Sequence, residues 1–95
     1  MTDISVADNP DQQRYEAMVD GTVAGFAEYE VKDGHVVFTH TEVDPAFEGQ
    51  CVGSTLAREA LDDVRAKGEH DVVALCPFIA AWIERHPAYQ DLLAA

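Results

Sequence analysis

Apolar and polar residues alternate along most of the first half of the chain, which predicts β-strands. A short alternating segment covers residues 4–6, and longer ones rich in β-branched and aromatic residues cover 14–19, 23–31 and 35–43. Asp-Gly pairs at residues 20–21 and 33–34 separate the later segments, and this dipeptide favours the two-residue turn of a β-hairpin. The first half therefore predicts four antiparallel strands.

The hydrophobic spacing changes in the second half. Apolar residues recur four apart, as on one face of an amphipathic helix: Val52, Leu56, Ala60 and Val64. This helix is expected to end near Gly68, and the short apolar segment 71–75 predicts a buried fifth strand. A second helix is predicted over 78–85, with a last turn over 89–93. Because strand–helix–strand units normally form right-handed crossovers, strand five is expected to lie parallel to strand four.

Composition supports one folded domain over residues 1–95. The 95 residues are 47% hydrophobic and 25% charged, which argues against intrinsic disorder. No apolar stretch approaches the roughly 18 residues needed to cross a bilayer, and the N-terminus lacks the pattern of a signal peptide. We therefore expect a cytoplasmic α/β domain with a mostly antiparallel five-stranded sheet and two or three helices.

The charge is strongly acidic. Eighteen acidic and six basic residues give a net charge of −12, which opposes nucleic-acid binding and favours cationic partners such as amines or basic peptides. Alternatively, the acidic surface serves solubility alone. Cys51 and Cys76 form no CxxC motif and have no histidine at metal-ligand spacing, so we expect free thiols and no metal site.

Candidate chemistry begins in the segment 47–54, Phe-Glu-Gly-Gln-Cys-Val-Gly-Ser, between the fourth strand and the first helix. Backbone amides of such a loop and the helix N-terminus can converge on an anion such as a pyrophosphate. A glycine-containing tight connection without any ligand is the alternative interpretation.

The order of strands, loop and helices resembles the GNAT N-acetyltransferase superfamily, in particular its small single-domain branch. Nearly the whole chain is covered by this resemblance. The segments that carry it, besides the loop, are His40-Thr41-Glu42-Val43, Cys76-Pro77-Phe78, Ala81-Trp82-Ile83 and His86-Pro87-Ala88-Tyr89.

The resemblance implies an N-acetyltransferase that takes acetyl-CoA as donor and a primary amine, small or in a basic peptide, as acceptor. Strands four and five would splay apart around the donor, with the pantetheine arm beside Val43 and the thioester toward Cys76, the suspected functional thiol. The loop residues expected to bind the pyrophosphate are Gly49, Gln50, Cys51, Val52, Gly53 and Ser54.

Two loop residues depart from the superfamily's pyrophosphate motif, Arg/Gln-x-x-Gly-x-Gly/Ala. Glu48 stands at the Arg/Gln position and Cys51 at the first glycine. A carboxylate near a phosphate is electrostatically unfavourable, and a side chain at residue 51 is strained if the site requires a positive φ. Both departures predict weaker CoA binding than the motif would give.

Three side chains are predicted to take part in catalysis. Cys76 would accept the acyl group as a nucleophile or border a site of direct transfer, and as a buried residue it would be inert. His40 would act as general base, and Glu42, two residues along the same strand face, would orient it or attract a cationic amine. A hydrogen-bonded strand histidine is the alternative for His40. Tyr89 would protonate the leaving thiolate or, as we favour, anchor the C-terminal segment by packing.

Two other functions are compatible with the sequence. The altered loop allows a non-enzymatic CoA-binding or protein-interaction module. A thiol redox protein using Cys51 and Cys76 is a third alternative, which the lack of a CxxC motif disfavours.

Overall fold

The computed structural model describes residues 3–47, 49, 51–68 and 70–94. Within these ranges the chain forms a five-stranded sheet in the order β1-β2-β3-β4-β5. The first three strand pairs are antiparallel and β4 lies parallel to β5, as predicted. The strands are β1 (Ile4–Asn9), β2 (Arg14–Val19), β3 (Thr22–Lys32), β4 (His35–Val43) and β5 (Asp71–Ala74).

The predicted helices are also confirmed, as α1 (Val52–Lys67) and α2 (Pro77–Glu84). Gly68 ends α1 in a left-handed conformation, with φ of 64°, and its amide donates to Val64 O. Pro77 takes the first helical position of α2, where its missing N–H leaves no helical hydrogen bond unmade. The last turn is a 3₁₀ helix, Pro87–Leu92.

Both helices pack on the same face of the sheet and share one core with it. The largest fully buried side chains come from the sheet and from both helices: Phe38, Leu56, Leu61, Ile79, Ile83, Val52 and Val72. In the part of the chain that the structure describes, no helix covers the opposite face, which we call the open face. No helix among these residues is long and apolar enough to cross a membrane.

A β-bulge in β4 decides which side chains reach each face. Tyr29 pairs with Phe38 and Glu28 pairs with His40, so Thr39 is an extra residue in β4. Beyond the bulge, Thr41 pairs with Ala27, which is fully buried. Paired residues share a face and neighbours alternate, so Thr41 and Val43 face the helices whereas His40 and Glu42 lie on the open face.

β4 and β5 part at Phe38. Ala74 is the last β5 residue paired with β4, and the amides of Leu75 and Cys76 both donate to Phe38 O at 3.0 Å before the chain enters α2. β4 continues for five residues, from Thr39 to Val43. Among the described residues this part of β4 has no strand on the β5 side, and we call it the free edge of β4. The predicted splay is therefore present.

A polar cluster ties α1 to the sheet far from the free edge. Lys67 Nζ lies 3.1 Å from Asp8 Oδ2 and 2.8 Å from Asp63 Oδ2. The Tyr15 hydroxyl donates to Asp63 and the Tyr29 hydroxyl donates to Asp8. Burial and the hydrogen bond to Asp8 raise the pKa of Tyr29 to about 12. Burial alone would raise the pKa of Asp63, but hydrogen bonds from Lys67 and Tyr15 lower it, and the pKa lies below its ordinary value.

Candidate active site

A cleft of about 380 Å³ opens where the end of β4, the loop, the first turn of α1 and one face of α2 meet. We call it the loop cleft. Its described lining residues are Val43, Phe47, Gly49, Cys51, Val52, Gly53, Ser54, Phe78, Trp82, Arg85 and His86. Every described residue of the predicted cofactor-binding set is among them. Glu48 and Gln50 lie outside the described residues.

The loop turns sharply at two positive-φ residues before α1 begins. Gly49 has φ of 83° and Cys51 has φ of 61°. The Thr55 amide donates to Cys51 O, so the amides of Val52, Gly53 and Ser54 precede the first hydrogen bond of α1. Such helix-terminal amides, together with the positive end of the helix dipole, suit a phosphate group. Residue 51 thus does require the left-handed conformation that strains a cysteine.

Gly53 allows α2 to approach the loop closely. A Cβ at this position would lie 2.9 Å from Phe78 Cζ and 3.5 Å from Val43 Cγ2. The first distance is too short for a normal contact between carbon atoms. Glycine at residue 53 therefore leaves room for the Phe78 ring against the floor of the cleft.

Trp82 joins the two helices and forms one wall of the cleft. Its indole N–H donates to Ser54 Oγ at 3.2 Å, and its ring stacks on the His86 ring at 3.8 Å between centroids. His86 Nδ1 donates to the Trp82 carbonyl at 2.6 Å, which fixes the orientation of the imidazole. The Ser54 hydroxyl thus accepts a hydrogen bond from the indole N–H, which leaves the Ser54 backbone amide as its group available to an anion.

Four of these lining residues, Phe78, Trp82, Arg85 and His86, have no function predicted from the sequence. Phe78, Trp82 and Arg85 recur at intervals of four and three residues, a spacing that places them on one face of α2. That spacing was readable from the sequence, but the docking of this face against α1 was not.

Cys76 lies next to Thr41 rather than in the loop cleft. Its thiol donates to Thr41 Oγ1 at 3.3 Å, and the residue is only 3% exposed. It occupies the N-cap position of α2, ahead of Pro77, without a side-chain capping hydrogen bond, so both predicted surroundings, burial and a helix N-terminus, are present together. Thr41 precedes Val43, which lines the cleft, by two residues on the same face of β4. Cys76 therefore lies about 7 Å along β4 from the cleft.

His40 and Glu42 lie together on the open face. His40 Nε2 is 3.7 Å from Glu42 Oε1, and both side chains are more than half exposed. The His40 ring centroid is 6.2 Å from that of Phe26. A hollow of about 490 Å³, lined partly by Phe26, Glu42 and Asp44, opens on this side. The structure thus brings His40 to Glu42 and places both on the face opposite to Cys76.

Tyr89 anchors the C-terminal segment, as favoured from the sequence. Its hydroxyl donates to Asp62 Oδ1 on α1 at 2.8 Å, and its ring packs edge-on against Trp82. The hydrogen bond to Asp62 raises the pKa of Tyr89. This hydroxyl is therefore held at α1.

Neither thiol is in a disulfide, Cys51 being exposed and Cys76 buried. In the described ranges, no group of three or more His, Cys, Asp or Glu side chains is arranged to hold a metal ion.

Comparison with known protein families gives a match over most of the chain. A family model described as GCN5-related N-acetyl-transferase matches residues 14–92, from the start of β2 to the end of the last 3₁₀ helix. A search of curated proteins finds no match to the chain. The matched residues include the whole loop cleft, the free edge of β4, and Cys76.

Proposed function

This chain belongs to the GCN5-related N-acetyl-transferase family, and from that membership we propose that it transfers an acetyl group from acetyl-CoA to a cationic primary amine. The observation that carries the proposal is that the free edge of β4 leads directly into the loop cleft at Val43. A ligand with phosphates at one end and an extended amide-containing arm needs both features side by side. The domain we propose covers residues 1–95.

The donor substrate would lie with its pyrophosphate at the amides preceding the first hydrogen bond of α1. Its pantetheine arm would follow the free edge of β4, whose backbone groups can pair with an added extended segment. The thioester would then arrive near Thr41 and Cys76.

The acceptor would approach from the open face, through the gap between β4 and β5. Glu42 and Asp44 border the hollow on that side, and their charge attracts an ammonium group. Arg14 lines the same hollow, and its charge is paired with Glu16. His40 would take one proton from the ammonium, the amine nitrogen would bond to the acyl carbon, and the carbon–sulfur bond would break. The nitrogen loses its second proton as the amide forms, and the leaving sulfur takes up that proton, so CoA departs as the thiol.

The environment of Cys76 supports direct transfer over an acyl-cysteine. A nucleophilic thiol acts as the thiolate and must be accessible, whereas Cys76 is buried and its S–H donates a hydrogen bond to Thr41 Oγ1. Intact-protein mass measured with acetyl-CoA and no acceptor distinguishes the two. We expect no added acetyl group on Cys76; an adduct lost in Cys76→Ala would instead assign the covalent route.

The test of the proposed function combines CoA titration by calorimetry with an amine-acetylation assay. We expect His40→Gln to lower kcat about 100-fold, the low end for loss of a general base, with CoA affinity unchanged. His70→Gln, which removes a histidine beside Tyr29 and Lys67, is the matched control and should keep full activity. Wild type that neither binds CoA nor acetylates any amine would refute the proposal.

A second candidate is a CoA-binding module without turnover. The observation that favours it is the placement of His40 and Cys76 on opposite faces of β4, which separates two of the predicted catalytic groups. CoA binding without acetylation of any amine in a broad panel would support this candidate.

For both candidate functions, the two free thiols suit a reducing compartment, so we propose a cytoplasmic location.

A further inference from the structure

Arg85 lines the loop cleft opposite the first turn of α1. It is the C-cap residue of α2, at helical spacing from Phe78 and Trp82, and both of these aromatic side chains also line the cleft. Of the described lining residues, Arg85 is the one whose side chain carries a permanent positive charge.

The charge of Arg85 is conspicuous because the chain is so acidic. In the second half of the described chain, the other basic side chains all pair with carboxylates: Arg58 with Glu59, Arg65 with Asp91, and Lys67 with Asp8 and Asp63. No described carboxylate lies within ion-pair distance of Arg85. A cation that faces a cleft and has no such partner can bind an anion without first breaking an ion pair.

His86 lines the cleft beside Arg85, and its ring is fixed in one orientation. Because Nδ1 donates to the Trp82 carbonyl and the ring stacks on the indole, Nε2 is left as an acceptor for an N–H or O–H group of a ligand. Stacking also limits ring rotation, so this nitrogen is held in place before any ligand arrives.

We infer that Arg85 binds a phosphate group of the acyl donor in the loop cleft, which the first turn of α1 also lines. A guanidinium can make two parallel hydrogen bonds to a phosphate, which an ammonium cannot. The C-terminal end of α2 carries a partial negative charge that would repel a phosphate, and the arginine offsets it. Arg85 thereby makes the cleft selective for a phosphorylated carrier over a bare pantetheine thioester. This inference rests on the proposed function.

The test is calorimetric titration of Arg85→Gln with CoA, 3′-dephospho-CoA and pantetheine. Loss of a charged hydrogen-bonding partner should weaken CoA binding about 10- to 100-fold and leave pantetheine binding unchanged. Arg85→Lys should recover part of the affinity. Arg58→Gln, which removes a cation on α1 paired with Glu59, should bind CoA as wild type does.

The ligand series also identifies the phosphate. A loss seen with CoA but absent with 3′-dephospho-CoA assigns Arg85 to the 3′-phosphate, and an equal loss with both assigns it to the pyrophosphate. Unchanged CoA affinity in a folded Arg85→Gln protein would overturn the inference. Equal weakening of CoA and pantetheine binding would also overturn it. Both outcomes would leave the proposed function intact. Absence of CoA binding to wild type would instead overturn the proposed function, and this inference with it.

Discussion

The Cys76 thiol donates a 3.3 Å hydrogen bond to Thr41 Oγ1 where β4 and β5 part. Cys76 is buried, whereas Cys51, at the start of α1, is exposed. Both cysteines are free, so they differ in access to solvent rather than in bonding state. A thiol-specific reagent therefore measures the solvent accessibility of Cys51 and of Cys76 separately.

We predict that the two thiols react with an aromatic disulfide reagent in two well-separated phases. Cys51 should react at once, and Cys76 on the order of 100-fold more slowly or slower, because it must wait for local opening of the structure. The measurement is stopped-flow absorbance with and without urea. Saturating CoA should slow the fast phase, since Cys51 lines the loop cleft.

Cys51→Ala is the control for this assignment. It should remove the fast phase and leave one slow thiol that reacts fully in urea. A fast phase that persists in Cys51→Ala would show that Cys76 is accessible and would reopen its role as a nucleophile.

The strained φ at residue 51 gives a second prediction. Cys51 has φ of 61° and ψ of 25°, a conformation that glycine adopts without steric cost. We expect Cys51→Gly to raise the free energy of unfolding by roughly 0.5 to 1 kcal/mol and to tighten CoA binding, as measured by urea denaturation and calorimetry.

Cys51→Ala separates the backbone effect from loss of the thiol. Alanine keeps the Cβ and therefore the strain, so its stability should match that of wild type. Equal stabilisation by alanine and glycine would mean that the thiol, and not the backbone conformation, is the unfavourable feature.

The elements could be predicted because their signals are local. Asp-Gly pairs define two turns, and the four-residue spacing from Val52 to Val64 defines the buried face of α1. The bulge at Thr39 is not local in this sense, because it depends on pairing between β3 and β4. Unbroken alternation from Phe38 would turn His40 toward the core, whereas the bulge turns it to the open face.

The candidate site could be predicted only in part, for a similar reason. The loop is contiguous in sequence, so its glycines and the helix that follows are visible together. Arg85 and Trp82 reach the same cleft only because α2 docks against α1 through the hydrogen bond from Trp82 to Ser54. A contact between residues 28 positions apart leaves no trace in hydrophobic periodicity.

Gly53 supplies a third prediction, on the shape of the cleft. In Gly53→Ala the new Cβ would meet Phe78 Cζ at 2.9 Å, and the partly exposed ring would have to move into the cleft. We expect CoA binding to weaken about 10-fold, within the range for overpacking, with little change in the free energy of unfolding. Calorimetry and urea denaturation measure the two effects.

The double variant Gly53→Ala with Phe78→Leu provides the control, because leucine lacks the atom that collides. CoA affinity in the double variant should return toward that of Phe78→Leu alone. If alanine at residue 53 weakens binding equally in both backgrounds, the effect belongs to the loop backbone and not to the ring.

Tyr29 gives a prediction about alkaline stability. Burial and the hydrogen bond to Asp8 raise its pKa to about 12, compared with about 10 in an unfolded chain. The raised pKa means that its stabilising contribution is complete below pH 10 and is lost as the pH rises through about 12. We therefore expect wild type to be about 1 kcal/mol more stable than Tyr29→Phe at pH 8, and this difference to shrink above pH 10.

Comparison of wild type with Tyr29→Phe separates the contribution of the Tyr29 hydroxyl from those of neighbouring titratable groups. Burial raises the pKa of Tyr15, and hydrogen bonds to Asp63 and Asp8 raise that of Lys67, so both proteins lose stability at high pH. Those shared losses largely cancel in the difference between the free energies of unfolding of wild type and Tyr29→Phe. Urea denaturation of both proteins at intervals from pH 6 to 11.5 measures this difference. Between pH 6 and 9, where Tyr29 stays neutral in both folded and unfolded chains, the difference should be constant. A difference that stays constant to pH 11.5 would mean that the hydroxyl of Tyr29 ionises as easily in the folded protein as in the unfolded chain, contrary to its burial beside Asp8.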